Sequence, residues 1–144
     1  MNRDQVLARG REVLRREGEA LVALSGGLDE SFVRAVEWMA ECSGRVLVTG
    51  LGKSGLVARK IAATLTGTGT PALFVHPVEA LHGDLGIATR DDLLLAISRS
   101  GDNPEIVDLT VSLLHHGVRC IGLTCVADSE LARRSDLVLV TPID

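Results

Sequence analysis

A short apolar strand followed by a glycine-bearing loop and a helix occurs twice in this chain, and this repeated unit constrains the fold most. Residues 45–49 (RVLVT) lead into Gly50 before helical spacing resumes at 56–65, and residues 92–98 (DLLLAIS) lead into a second loop before a helix at 105–116. Further strands are predicted at 72–75, 118–123 and 137–140, with a short helix at 129–134. Apolar strands that alternate with helices indicate a doubly wound parallel sheet, so we predict an α/β layer sandwich.

The N-terminal part of the chain is predicted to be helical and to lie outside this sandwich. Residues 3–24 show amphipathic spacing, Ser25-Gly26-Gly27 interrupts it, and Asp29 is suited to cap a second helix over 30–42. The apolar stripe of the first helix needs a partner, and a second subunit is one candidate. We therefore expect a single domain over 1–144, with a helical arm at about 1–43 and an α/β core at about 44–144.

Composition argues against nucleic acid and membrane as partners. The 144 residues include 15 Lys and Arg against 19 Asp and Glu, a net charge of −4, and no basic run accompanied by aromatics. No apolar stretch is long enough to span a bilayer, and the N-terminus has no signal-peptide core. We expect a cytoplasmic protein. Its cysteines, Cys42, Cys120 and Cys125, are interpreted as small buried hydrophobes. A catalytic thiol is the alternative, because Cys120 and Cys125 lie on either side of a predicted strand end.

The first glycine loop reads Gly50-Leu51-Gly52-Lys53-Ser54-Gly55. At the carboxyl end of a parallel strand, glycines allow a close approach to an anion, which the helix N-terminus, an ammonium and a hydroxyl would also attract. The spacing fits neither the dinucleotide fingerprint nor the P-loop. The structural alternative is a tight turn that needs a positive φ.

The second loop, 98–105 (SRSGDNPE), brings two hydroxyls, a glycine and a helix start to one strand end, which suits a phosphate. Alternatively, Ser100 or Asp102 only caps the helix that follows. Lys53 is a candidate for stabilising an oxyanion and Glu105 for proton transfer, with a solvated helix-face glutamate as the simpler interpretation of Glu105.

Between the loops, Glu79 and His82 are spaced to share one face of a short helix. They suit acid/base chemistry, a metal, or a hydrogen-bonded structural histidine. Because no third ligand is apparent, we expect no metal site and no other cofactor. His76, His115 and His116 are interpreted as surface or packing residues.

Two stretches, VTGLGKSGLVARKIAATLTGTGTPALFVHPVEALHGDLG and LLAISRSGDNPEI, resemble the sugar isomerase (SIS) domain of the arabinose-5-phosphate isomerase family. The resemblance extends over about 12–140, with three separate motifs in the family's order. It implies a flavodoxin-like, five-stranded parallel sheet between helices in a three-layer sandwich, assembled as a homo-oligomer, a dimer or usually a tetramer. It also implies interconversion of D-ribulose 5-phosphate and D-arabinose 5-phosphate, an early step toward the octulosonate sugar of lipopolysaccharide.

By the same resemblance, Lys53 and Glu105 match active-site residues of the family, and His82 matches the histidine of its AxHGDLG segment. Asp102 stands where glutamate is common, and Asn103 where a hydroxyl residue is usual, which implies a looser phosphate cradle. The residues we expect to contact substrate or phosphate are Gly52, Ser54, Gly55, Ser98, Ser100, Gly101, Asp102 and Asn103.

Family members continue beyond the strand at 137–140 with a second glutamate, a HPGG histidine and often paired cystathionine-β-synthase-type modules, so we expect this chain to be truncated before them. Three functions are compatible with these residues. The first is an isomerase that works through an enediol, the second is a module that binds a sugar phosphate without turnover, and the third is an oligomerisation unit with a vestigial pocket.

Overall fold

The computed structural model describes residues 2–141, which form helices and strands in alternation after an N-terminal helical pair. The elements are α1 (Arg3–Gly26), α2 (Glu30–Glu41), β1 (Val46–Gly50), α3 (Gly52–Gly67), β2 (Ala72–Val75), α4 (Pro77–Leu81), a 3-10 helix (Asp84–Ile87), β3 (Leu93–Ile97), α5 (Pro104–His115), β4 (Arg119–Thr124), α6 (Glu130–Arg134) and β5 (Leu137–Val140).

The five strands form one parallel sheet in the order β2-β1-β3-β4-β5. The chain moves from β1 outward to β2 and then crosses to the other side of β1 to add β3. Thr49 lies beside Val75 on one side and beside Ala96 on the other. The point between β1 and β3 is the topological switch at which doubly wound sheets bind ligands. The predicted α/β fold with a five-stranded parallel sheet is confirmed.

Two apolar layers cover the faces of the sheet. One joins Leu47, Leu94 and Cys120 to α4, α5 and α6, and the other joins Val48, Leu95 and Ile121 to α2 and α3. Strands buried on both faces explain the runs of aliphatic residues in the sequence. By contrast, α1 buries none of its residues, so its apolar side chains are not part of the core.

Two helix boundaries differ from the predictions, and both lie at glycines. α3 begins at Gly52, four residues before the predicted start at 56, and α1 continues through Gly26 to a cap at Gly27. Two predicted details are confirmed, since the Asp29 side chain accepts a hydrogen bond from the Ser31 N–H at the start of α2 and Pro104 opens α5. Within residues 2–141, no helix is long and apolar enough to cross a membrane.

Candidate active site

A cleft of about 570 Å³ opens at the carboxyl ends of β1 and β3, at the switch point of the sheet. Three serine hydroxyls, one guanidinium and one amide form its polar part, and aliphatic side chains together with one thiol form the remainder. The lining residues are Leu51, Ser54, Ile97, Ser98, Arg99, Ser100, Asn103, Ile106, Cys125 and Val126. Both predicted loops therefore contribute to a single cleft.

Close packing between two glycines sets the start of α3. A Cβ on Gly55 would lie 2.7 Å from the Gly50 carbonyl oxygen, and a Cβ on Gly50 would lie 2.9 Å from the Ser54 carbonyl oxygen. Because Gly52 has a φ of +53°, the chain turns directly from strand into helix. No side chain at Leu51 accepts a hydrogen bond from the first backbone amides of α3. These N–H groups, at the cleft end of the sheet, therefore have no side-chain cap.

Local hydrogen bonds fold the second loop over the end of β3. The buried Ser98 hydroxyl accepts a hydrogen bond from the Gly101 N–H at 3.1 Å, and the Ser100 hydroxyl accepts one from the Asp102 N–H at 3.4 Å. Gly101 has a φ of +72°, a conformation that favours glycine. The loop therefore presents its hydroxyls on a defined backbone.

The second loop is also tied to α6, which is distant in sequence. The Gly101 carbonyl accepts a hydrogen bond from the Leu131 N–H at 2.8 Å, and the Asp102 carboxylate accepts one from the Glu130 N–H at 2.9 Å. Neither Ser100 nor Asp102 caps α5. The Asn103 side-chain oxygen does so, by accepting a hydrogen bond from the Ile106 N–H at 3.3 Å.

None of the predicted acid/base residues Lys53, Glu105 and His82 is a lining residue of the cleft. Lys53 is exposed in the first turn of α3 between the lining residues Leu51 and Ser54, and Glu105 is half-buried in the first turn of α5. His82 is exposed at the cap that ends α4 and is not a lining residue. Among residues 2–141, no group of three or more His, Cys, Asp or Glu is arranged to hold a metal ion.

Six lining residues were not among the predicted site residues, and two of these, Arg99 and Cys125, have side chains that are not aliphatic. The position of Arg99 between the two loop serines was the available signal for it. Cys125 follows β4 and reaches the cleft because β4 pairs with β3, which spacing alone does not reveal. The interpretation of the cysteines as small buried hydrophobes holds for Cys120, which is buried in the core, and this burial raises the pKa of its thiol to about 12. Cys42 and Cys125 are only half-buried.

A second cleft, of about 750 Å³, lies at the opposite end of the sheet. Trp38, Arg90, His115 and Arg119 are among its lining residues. The Arg34 and Arg119 guanidinium carbons lie 5.5 and 5.3 Å from the centre of the Trp38 ring, so these cations already have an aromatic partner. None of the predicted site residues lines this cleft.

The fold and the first cleft define a doubly wound α/β domain with a ligand cleft at its topological switch point. Within that class, the chain belongs to the SIS domain family, whose model matches residues 39–144. Among solved structures, that of the Escherichia coli CFT073 protein c3406 in complex with arabinose 5-phosphate is 36% identical, with a TM-score of 0.94 over 100% of this chain and 77% of that chain.

Curated relatives agree with this family assignment. Arabinose 5-phosphate isomerase KpsF of Escherichia coli is 47% identical over 130 residues, which cover 90% of this chain and 41% of the relative. Arabinose 5-phosphate isomerase KdsD of Pseudomonas aeruginosa is 46% identical over 123 residues, covering 85% of this chain and 38% of the relative. The chain thus spans about two fifths of the length of the curated relatives that it matches.

Proposed function

We propose that this chain is a sugar-phosphate aldose–ketose isomerase that interconverts D-arabinose 5-phosphate and D-ribulose 5-phosphate. The observation that carries the proposal is the convergence of Ser54, Ser98 and Ser100 on one cleft at the starts of α3 and α5. Hydroxyls and helix N-termini are suited to a phosphate dianion. The names of the relatives and the arabinose 5-phosphate complex of the Escherichia coli protein supply the substrate class.

We propose that the phosphate lies against the three serine hydroxyls and the first amides of α3, including that of Gly52. Several other expected contacts already have protein partners. The Gly55 N–H donates to the Leu51 carbonyl and the Gly101 N–H donates to Ser98. The Asp102 and Asn103 side chains accept backbone hydrogen bonds within the fold. In this proposal they hold the loop around the phosphate and do not contact it directly.

The chemistry requires a proton to move between two neighbouring carbons. A base removes the C2 proton of the aldose while the carbonyl oxygen O1 takes up negative charge and is protonated, giving an enediol. Return of a proton to C1, with loss of the proton from the C2 hydroxyl, gives the ketose. We assign Lys53 to stabilise the oxyanion and Glu105 to move the proton, with His82 as the alternative.

The test is turnover of D-arabinose 5-phosphate by the 144-residue chain in heavy water, followed by NMR. We expect ketose formation with deuterium at the exchanging carbon, and loss of both in Lys53→Ala. Lys60→Ala is the matched control because Lys60 lies on the same helix and donates to the Thr64 hydroxyl instead. Equal turnover in the two variants would contradict the role of Lys53, and no turnover or exchange by the unmodified chain would contradict the isomerase.

A second candidate function is a sugar-phosphate-binding module without catalysis. The observation that favours it is that none of Lys53, Glu105 and His82 is a lining residue of the cleft, whereas the serines are. A shift in melting temperature with D-arabinose 5-phosphate, without deuterium exchange, would support this function, since a ligand that binds only the folded state stabilises it. No shift at millimolar concentrations would favour the third function, an oligomerisation unit with a vestigial pocket.

We also propose that the chain forms a homo-oligomer, a dimer or a tetramer. Leu14, Leu21 and Val22 on α1 are 68 to 72% exposed, and Phe32 and Val36 on α2 are also exposed. Helices with such apolar faces gain by packing against another copy. Sedimentation equilibrium should give a multiple of the 15.3 kDa chain mass, and a monomer at micromolar concentration would contradict the proposal.

The remaining expectations concern organisation and setting. We propose that residues 1–144 act as one domain, with the arm at about 1–43 and the core at about 44–144. We further propose that the protein acts in the cytoplasm and supplies a sugar phosphate for lipopolysaccharide synthesis. Loss of lipopolysaccharide sugar in a strain that lacks the protein, restored by the active chain but not by Lys53→Ala, is the test.

A further inference from the structure

Arg99 provides the positive charge among the side chains that line the cleft. The other lining side chains are hydroxyl, amide, thiol or aliphatic, and within residues 2–141 none of them is a carboxylate or a second cation. Ser98, Arg99 and Ser100 are consecutive, and all three line the cleft. An anion that reaches the two serines therefore also lies within the field of the guanidinium.

The backbone of Arg99 is fixed while its side chain is left available. Its carbonyl accepts hydrogen bonds from the Cys125 N–H at 3.0 Å and from the Thr124 hydroxyl at 3.3 Å, which join the end of β3 to the end of β4. The Arg99 side chain is exposed and has no ion pair with a carboxylate in the described part of the chain.

Several arginines of the fold are engaged in protein contacts, unlike Arg99. Arg45 pairs with the buried Asp92, Arg133 pairs with Glu130, and the Arg59 guanidinium lies 3.9 Å from the centre of the Phe74 ring. An arginine at the rim of a cleft without such a partner retains its full hydrogen-bonding capacity. Its planar guanidinium can donate two parallel hydrogen bonds to phosphate oxygens.

We propose that Arg99 binds the phosphate of the substrate and makes the cleft select phosphorylated over unphosphorylated sugars. This inference rests on the proposed function for the identity of the sugar, whereas the binding of a phosphate group by Arg99 does not depend on it. The serines are neutral and recognise oxygen atoms in general, whereas Arg99 favours negative charge. Its contact with phosphate is made alike in the ground state and the transition state, because the phosphate does not react.

The first experiment measures binding of inorganic phosphate and of D-arabinose 5-phosphate to the 144-residue chain by titration calorimetry. Arg99→Ala should weaken the binding of both about tenfold or more, as expected for loss of a charge-assisted hydrogen bond, and Arg99→Lys should restore part of the affinity. Arg90→Ala is the matched control, since Arg90 lines the cleft at the opposite end of the sheet. Unphosphorylated D-arabinose should bind Arg99→Ala as weakly as it binds the unmodified chain.

Two further readouts separate this inference from the isomerase itself. The affinity for phosphate should fall as salt is raised, and it should fall less steeply for Arg99→Ala. If turnover is present, Arg99→Ala should raise KM with little change in kcat. The inference would be overturned if Arg99→Ala bound phosphate as tightly as the unmodified chain, or if the unmodified chain bound no phosphate. Absence of turnover alone would overturn only the proposed isomerase activity.

Discussion

Replacing Gly101 by alanine should destabilise the protein through a steric conflict with α6. The residue has a φ of +72°, in which a side chain costs about 1–2 kcal/mol. An added Cβ would also overlap Ser129, at both its Cβ and its hydroxyl, and would lie 2.8 Å from the Thr124 hydroxyl. Overpacking of this kind costs about 1–3 kcal/mol, so the expected loss in free energy of unfolding is about 2–5 kcal/mol.

Gly69→Ala is the matched control for this substitution. Gly69 also has a positive φ, of +96°, but a Cβ there would meet nothing within 4 Å. The control therefore includes the backbone strain without the overlap, and we expect it to cost about 1 kcal/mol. The difference between the two variants measures the contact between the second loop and α6.

Urea unfolding gives both free energies, and a double variant tests the mechanism. Ser129→Gly removes the two nearest side-chain atoms that the new methyl group at position 101 would meet and leaves the Thr124 hydroxyl, while keeping a residue tolerated at a helix N-cap. The combined Gly101→Ala and Ser129→Gly variant should recover most of the overlap penalty, so the two changes should not be additive. Equal destabilisation by Gly101→Ala and Gly69→Ala would refute the reasoning.

Three titratable groups give further predictions. Burial raises the pKa of Asp92, but hydrogen bonds from Thr89 and Arg45 outweigh it and hold the pKa below its ordinary value. The stability that this carboxylate contributes is fully present above its pKa in the unfolded chain and is lost as the pH falls through its pKa in the folded protein. In urea unfolding, Asp92→Asn should therefore cost about 2 kcal/mol at neutral pH and progressively less below about pH 4. A cost that does not depend on pH would contradict this. D-arabinose 5-phosphate should slow the alkylation of Cys125 but not of Cys42, which lies in the opposite cleft, as mass spectrometry would show; equal protection would argue against binding at the switch point. Cys120, with its pKa of about 12, should react with alkylating agents only on unfolding, and labelling of the native protein there would contradict the buried position.

Much of the fold could be predicted because its signals are local. Strands buried on both faces are continuous aliphatic runs, and Asp29 and Pro104 mark helix starts through side chains that act on adjacent backbone. The start of α3 could not be predicted in this way. Glycine has a low helix propensity, and only the close approach of Gly50 and Gly55 in the folded chain requires it there.

The site was partly predictable for the same reason. The serines of the second loop follow a strand end directly, so their place in the cleft was expected from the general rule for parallel sheets. The contribution of Cys125 depends on β3 pairing with β4, and the hydrogen bond between Asp102 and Glu130 joins residues far apart in sequence. Helical spacing predicted that His82 shares a face with Glu79, but α4 ends at Leu81, so His82 is its C-terminal cap residue and lies beyond the last helical turn.

The strand order of the sheet also has a consequence for how the chain folds. β1, α3 and β2 form a local unit that can assemble early, yet it leaves the inner edge of β1 unpaired until the strand that begins at Leu93 has been synthesised. An open, apolar strand edge is prone to pair with other chains. Because the cleft lies between β1 and β3 and also uses residues that follow β4, the nascent chain has no ligand site while this edge of β1 is open, and a ligand of the cleft can stabilise the fold only after β3 and β4 have paired.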